Sequence, residues 1–179
     1  MLSRRHLLAL FAASGLTSRA AAAEPIKILF LDTGNTGRSL VAETLARDLA
    51  ARRQAPLAVI SRGLDVDPFD EAPEPNARIL MSERGFDVGA HIARRLEASD
   101  VAHADVILTM TPEHVVKLLA AYPVARAKTF TLASYATGAE EPIPDAWGKP
   151  MEVYRAIVAQ LDRFLPPALV KAAPPPGKP

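Results

Sequence analysis

Eight consecutive residues carry the strongest chemical pattern in the chain: Asp32-Thr33-Gly34-Asn35-Thr36-Gly37-Arg38-Ser39. They follow the apolar run from Ile26 to Leu31 and precede an amphipathic stretch, so they read as a strand-to-helix turn. In a parallel sheet, ligands sit at the carboxyl ends of strands, and the amides of a Gly-rich turn at a helix N-terminus point at a bound anion. The turn is an anion cradle by position; the plainer alternative is a turn that needs Gly34 and Gly37 for backbone reasons alone. Two standard phosphate motifs nearly fit. The dinucleotide fingerprint wants glycine in the places of Asp32, Gly34 and Gly37, and the Walker A loop wants glycine in place of Asp32 ahead of Gly37, a cation and Ser39. Asp32 breaks both patterns at the same position. With 0 cysteines, the chain has no disulfide framework, thiolate zinc site, iron-sulfur cluster or thiol nucleophile.

The elements that must position this turn follow from alternating apolar runs and amphipathic segments, a pattern that predicts α/β. Ile26 to Leu31, broken only by Lys27, reads as a strand buried on both faces. Leu57 to Ile60, Val106 to Leu108 and Thr129 to Leu132 supply three more strands. Helices are expected from Arg38 to Arg52, from Asn76 to Arg84 with Gly85 as its stop, and from Pro112 to Ala121 after Thr111. A last helix runs from Pro150 to Phe164, with Val153, Ile157, Leu161 and Phe164 on one face. The expected fold is a single domain with a four-stranded parallel sheet flanked by helices, Rossmann-like with flavodoxin-like winding.

At 179 residues, 49% hydrophobic and 23% charged, the chain has room for one domain and too apolar a core for wholesale disorder. Residues 1–23 read as an export leader: basic Arg4 and Arg5, an apolar run from Leu7, and small residues up to Ala23. Ser3-Arg4-Arg5-His6-Leu7-Leu8 resembles a bacterial twin-arginine signal, which implies a periplasmic protein. The stretch from Leu7 to Leu16 is too short to span roughly 30 Å of hydrocarbon, so no membrane anchor is expected after cleavage. Without the leader, 18 basic and 20 acidic residues remain, and that balance argues against a nucleic-acid partner. The domain is expected at 24–165, followed by a disordered proline-rich tail at 166–179.

Read as X-x5-Arg-Ser and followed by Ala42-Glu43, the turn resembles the signature of the low-molecular-weight protein tyrosine phosphatases and related arsenate reductases. Further pieces of that pattern occur in family order: Ile60-Ser61-Arg62-Gly63, Arg84-Gly85-Phe86-Asp87, Gly89 to Arg94, Asp105 to Met110, and Pro144-Asp145-Ala146-Trp147-Gly148. In that family X is a cysteine that attacks phosphorus, loop amides and an arginine hold the oxygens, and a distant aspartate protonates the leaving group. The resemblance implies Arg38 as the phosphate-binding arginine and Asp145 as the general acid. It makes Trp147 the aromatic at the substrate rim, Ser39 the hydroxyl that bonds the nucleophile, and Asn35, Ser61 and His91 a network that shapes the loop. It implies no metal and no cofactor.

The departures fall where the chemistry lies: Asp32 replaces the nucleophile, Gly37 the second loop cysteine, and Leu40 and Ala146 two prolines. A carboxylate about 4 Å from a phosphate charge costs roughly 4 kcal/mol at an effective dielectric near 20. Arg38 is expected to be drawn to Asp32, and Asp32 itself to accept loop amides as a built-in phosphate mimic. Loss of both thiols also suits an oxidising compartment, where such a pair would be locked as a disulfide. Three readings follow. The first is an inactive or weakly active phosphatase-fold protein with a binding role, its partner a phosphorylated protein or small oxyanion. The second is a phosphomonoester hydrolase with Asp32 as nucleophile, chemistry that usually adds a divalent metal; Asp65, Asp67 and Asp70 read instead as a solvated loop. The third is a nucleotide or oxyanion binder. Oligomeric state is not legible from the sequence.

Overall fold

The computed structural model describes residues 24–174; the expected leader at 1–23 and residues 175–179 of the expected tail lie outside the described residues. Four strands, β1 (Ile26–Asp32), β2 (Leu57–Gly63), β3 (Val106–Thr109) and β4 (Thr129–Thr131), form one parallel sheet in the order β2-β1-β3-β4. That order is the expected flavodoxin-like winding, and it puts the topological switch between β1 and β3.

The central strand is buried from Ile28 to Asp32 because both its faces are covered. Ile28 and Phe30 face a core built with α1 (Arg38–Arg52), α2 (Pro75–Glu83) and two later helices, while Leu29 and Leu31 face a smaller core. That smaller core is closed by Val101 of α3 (Ala98–His103) and Leu118 of α4 (Pro112–Ala121). Thr131 ends β4 early: its hydroxyl accepts from the Ser134 amide at 3.2 Å and caps α5 (Leu132–Thr137), so Leu132 belongs to a helix and not to the strand. The expected stop at Gly85 is present, with φ of +83°.

The C-terminal expectation needs correction. Helix α6 (Met151–Ala172) runs through Pro166 and Pro167, so residues 166–172 are helical and not part of a disordered tail. An interior proline removes a helix hydrogen bond and costs about 3 kcal/mol. Burial of Leu165, Ala168 and Leu169 in the main core offsets that cost, while Pro166 faces solvent.

Candidate functional site

The sheet ends β1 at Asp32 directly beside Gly63 of β2, and α1 begins at Arg38, so residues 33–37 must turn within the switch region. Asn35 holds the turn in the left-handed region at φ +60°, which asparagine tolerates. Its side chain is a hub: Nδ2 donates to Ser39 Oγ at 3.0 Å and Ser61 Oγ at 2.8 Å, and Oδ1 accepts from the Arg94 amide at 3.0 Å. His91 Nε2–H donates to the Asn35 carbonyl at 2.8 Å. Ser61 in turn donates to Glu43. Asn35, Ser61 and His91, the residues expected to shape the loop, are brought together, and Ser39 joins them.

Asp32 is 3% exposed and lies within its own loop. Its Oδ1 accepts from the Asn35 amide at 2.7 Å, and its Oδ2 from the Ser39 amide at 3.0 Å. The contact to Ser39 therefore runs through the backbone; the hydroxyl expected to bond residue 32 is instead taken by Asn35. The amides of Gly34, Thr36, Gly37 and Arg38 have no protein acceptor among the described residues, so part of the cradle still faces outward.

Arg38 is not drawn to Asp32 as expected. Its Nη1 donates to the Ile143 carbonyl at 3.1 Å and its Nη2 pairs with Asp145 Oδ1 at 3.3 Å. The reason is geometric: Asp32 already has two amide donors, while Asp145 arrives on an exposed loop with a free charge. Asp145 Oδ1 also accepts from the Trp147 amide at 3.3 Å, and Trp147 Nε1 donates to Asp70 at 3.3 Å. Above the cradle is a cavity of about 250 Å³ lined by Thr33, Gly34, Thr36, Gly37, Arg38 and Asp32, with Asp145 and Trp147 also on its wall. Asp65, Asp67 and Asp70 are solvent-exposed, as expected of a solvated loop, yet they too line this cavity. Among the described residues, no three acidic or imidazole groups are grouped closely enough to hold a metal ion.

Three contributors lie outside the motifs read from the sequence. His114, 5% exposed, places Nε2 3.0 Å from Thr33 Oγ1. Burial first, then the Arg38 charge, pushes its imidazole down to about 4, so it is neutral at pH 7. Tyr154 of α6 lines the cavity, and burial followed by the Glu74 carboxylate raises its hydroxyl well above the usual tyrosine range. Its hydroxyl lies 2.8 Å from where a Cβ on Gly37 would stand. Buried Glu74 caps α2 by accepting from the Ala77 amide at 3.0 Å, and its own amide donates to the Thr36 carbonyl at 2.9 Å. The sequence signal for Glu74 was its place just before Pro75, an N-cap position.

A parallel sheet with a Gly-rich loop, a buried arginine and an aspartate facing it defines a phosphate-loop protein. The sequence matches the low molecular weight phosphotyrosine protein phosphatase family over residues 27–172, and the chain belongs to that family. It is 34% identical over 142 residues to a protein-arginine-phosphatase of Geobacillus stearothermophilus, covering 79% of this chain and 92% of that protein. It is 30% identical over 137 residues to the low molecular weight protein-tyrosine-phosphatase Wzb of Salmonella typhi, covering 76% and 87%. Among solved structures, a YwlE arginine phosphatase mutant with a phosphorylated active-site serine is similar, with a TM-score of 0.75 and 29% identity over 82% of this chain and 93% of that one.

Proposed function

We propose that this protein is an exported member of the family that binds through its phosphate loop without thiol-type turnover, a pseudophosphatase. One observation carries the reading: the side chain in the nucleophile's position is a buried carboxylate, its two oxygens held by the Asn35 and Ser39 amides. That carboxylate stands where the chemistry needs a thiolate, and the chain has no cysteine to take its place. The leader at 1–23 supports a periplasmic site of action.

The test is Asp32→Cys. The remaining parts of the family mechanism stand around the loop: Arg38 and the outward amides for equatorial oxygens, Asp145 for the leaving group. Aryl-phosphatase activity is expected to appear in Asp32→Cys. It should fall by roughly two to four orders of magnitude on adding Asp145→Asn or Arg38→Ala. Wild-type turnover equal to that of Asp32→Cys overturns the reading. A second reading, with Asp32 as nucleophile, draws support from the phosphorylated serine of the related mutant, since an oxygen side chain there accepted a phosphoryl group. A hydroxylamine-labile phosphoryl group on wild-type Asp32 would establish it.

A further inference from the structure

We propose that a phosphate group binds behind the loop, in a cavity of about 320 Å³ at the outer edge of β2 that shares no lining residue with the cavity above the loop. β2 lies at the edge of the sheet, so half of its backbone groups point away from β1. Gly63 fixes which half: its amide donates outward to the Arg94 carbonyl at 2.8 Å, and its carbonyl accepts from the Leu96 amide at 2.8 Å. Backbone direction alternates along a strand, so Val59 and Ser61 point outward as well. Their carbonyls are taken. Arg47 of α1 donates to the Val59 carbonyl from Nε at 3.1 Å and Nη2 at 2.9 Å, and Arg62 Nη1 donates to the Ser61 carbonyl at 2.8 Å. The Ser61 amide, by contrast, has no acceptor among the described residues, although Ser61 is only 2% exposed. An amide left so in a buried residue is rare and points to an acceptor from outside the chain. An added β-strand does not fit, because it must donate as well as accept and the outward carbonyls are occupied. An anion only accepts.

The side chains around that amide select the kind of anion. Arg47, Arg62 and Arg94 line the cavity against one carboxylate, that of Glu43, which is held by Arg47 at 2.6 Å and by the Ser61 hydroxyl. Arg62 is also paired with Asp100 at 2.9 Å, outside the lining. Arg94 is exposed, and its guanidinium makes no hydrogen bond or ion pair among the described residues; its backbone alone joins the fold, through the carbonyl to Gly63 and the amide to Asn35 Oδ1 at 3.0 Å. A guanidinium carries five N–H donors, so Arg47 and Arg62 keep some for a ligand beyond their present bonds. Donors reach this one cavity from a strand edge, from α1 and from the segment before Arg95, which suits a group with several charged oxygens around one centre better than a flat carboxylate. Asn35, the hub of the loop, is part of the same wall and bonds Ser61, so occupancy here bears on the shape of the loop.

The test is an NMR titration of the isotope-labelled full-length protein. Inorganic phosphate is expected to move the Ser61 amide proton saturably, while chloride at the same ionic strength does not. Arg94→Gln should weaken this binding roughly tenfold with the thermal melt unchanged, since it alters only an unbonded side chain. N-acetyl-phosphoserine amide is titrated beside inorganic phosphate, and the tighter of the two identifies the source as protein-borne or free. A Ser61 amide unmoved by both overturns the proposal, and so does equal affinity in the wild type and in folded Arg94→Gln. Trp147, the chain's single tryptophan, stands at the other cavity, so its emission separates the two sites. A change in that emission with Ser61 unmoved puts the phosphate above the loop and overturns the proposal as well.

Discussion

Buried His114 shows how far one residue's environment can govern the loop. A free imidazole titrates near 6.5, and in the fold its value falls to about 4, so the unfolded chain binds more protons between those limits. Stability attached to neutral His114 is therefore full above pH 6.5 and is lost as pH falls toward 4, by about 3 kcal/mol. His114→Gln should lose that part of the pH dependence. Urea unfolding at pH 7 and pH 4 measures it, and equal slopes for both proteins would show that Thr33 is not held by a titrating partner. At the same scale, Asp32 and Arg38 show why charge alone is a poor guide. Each could have neutralised the other, but backbone amides reached Asp32 and the Ile143 carbonyl with Asp145 reached Arg38.

The end of β2 is pressed closely against the cradle. A Cβ on Gly63 would meet Val66 Cγ2 at 2.6 Å and the Thr33 carbonyl at 2.7 Å. Gly63→Ala should cost about 3 kcal/mol and lower the melting temperature by about 10 °C, because the second contact is backbone and cannot rotate away. An unchanged melt by calorimetry would mean that the loop is free to shift. Elements with long apolar runs were legible in the sequence, β1 and α1 above all, since burial on two faces or one stripe leaves a period to read. Helix α3 was not: six residues are too few for a stripe, and its start depends on Asp100, which accepts from the Glu97 amide and from Arg62. The site divided the same way. The loop and its Asn35 network could be read from contiguous motifs, whereas His114, Tyr154 and the Asp65–Asp70 rim reach the cavity only because strands and helices distant in sequence converge at the switch.

Over the whole molecule, the described residues contain no helix long and apolar enough to cross a membrane. The proposed route out of the cytoplasm therefore rests on the N-terminal residues, and Arg4→Lys with Arg5→Lys should leave the protein in the cytoplasm. Cell fractionation measures this, with Lys171→Ala as the exported control; a double variant found in the periplasm would rule out the twin-arginine route. The order of the sheet also sets a timetable. β1 is among the first described segments to be synthesised, but its partner β3 comes about eighty residues later, and Ile28 and Phe30 share a core with α6 near the end of the chain. Domains generally fold as units, so the main core cannot close while the ribosome still holds the last helix. The loop around Asp32 therefore takes its final form only once α6 has cleared the ribosome.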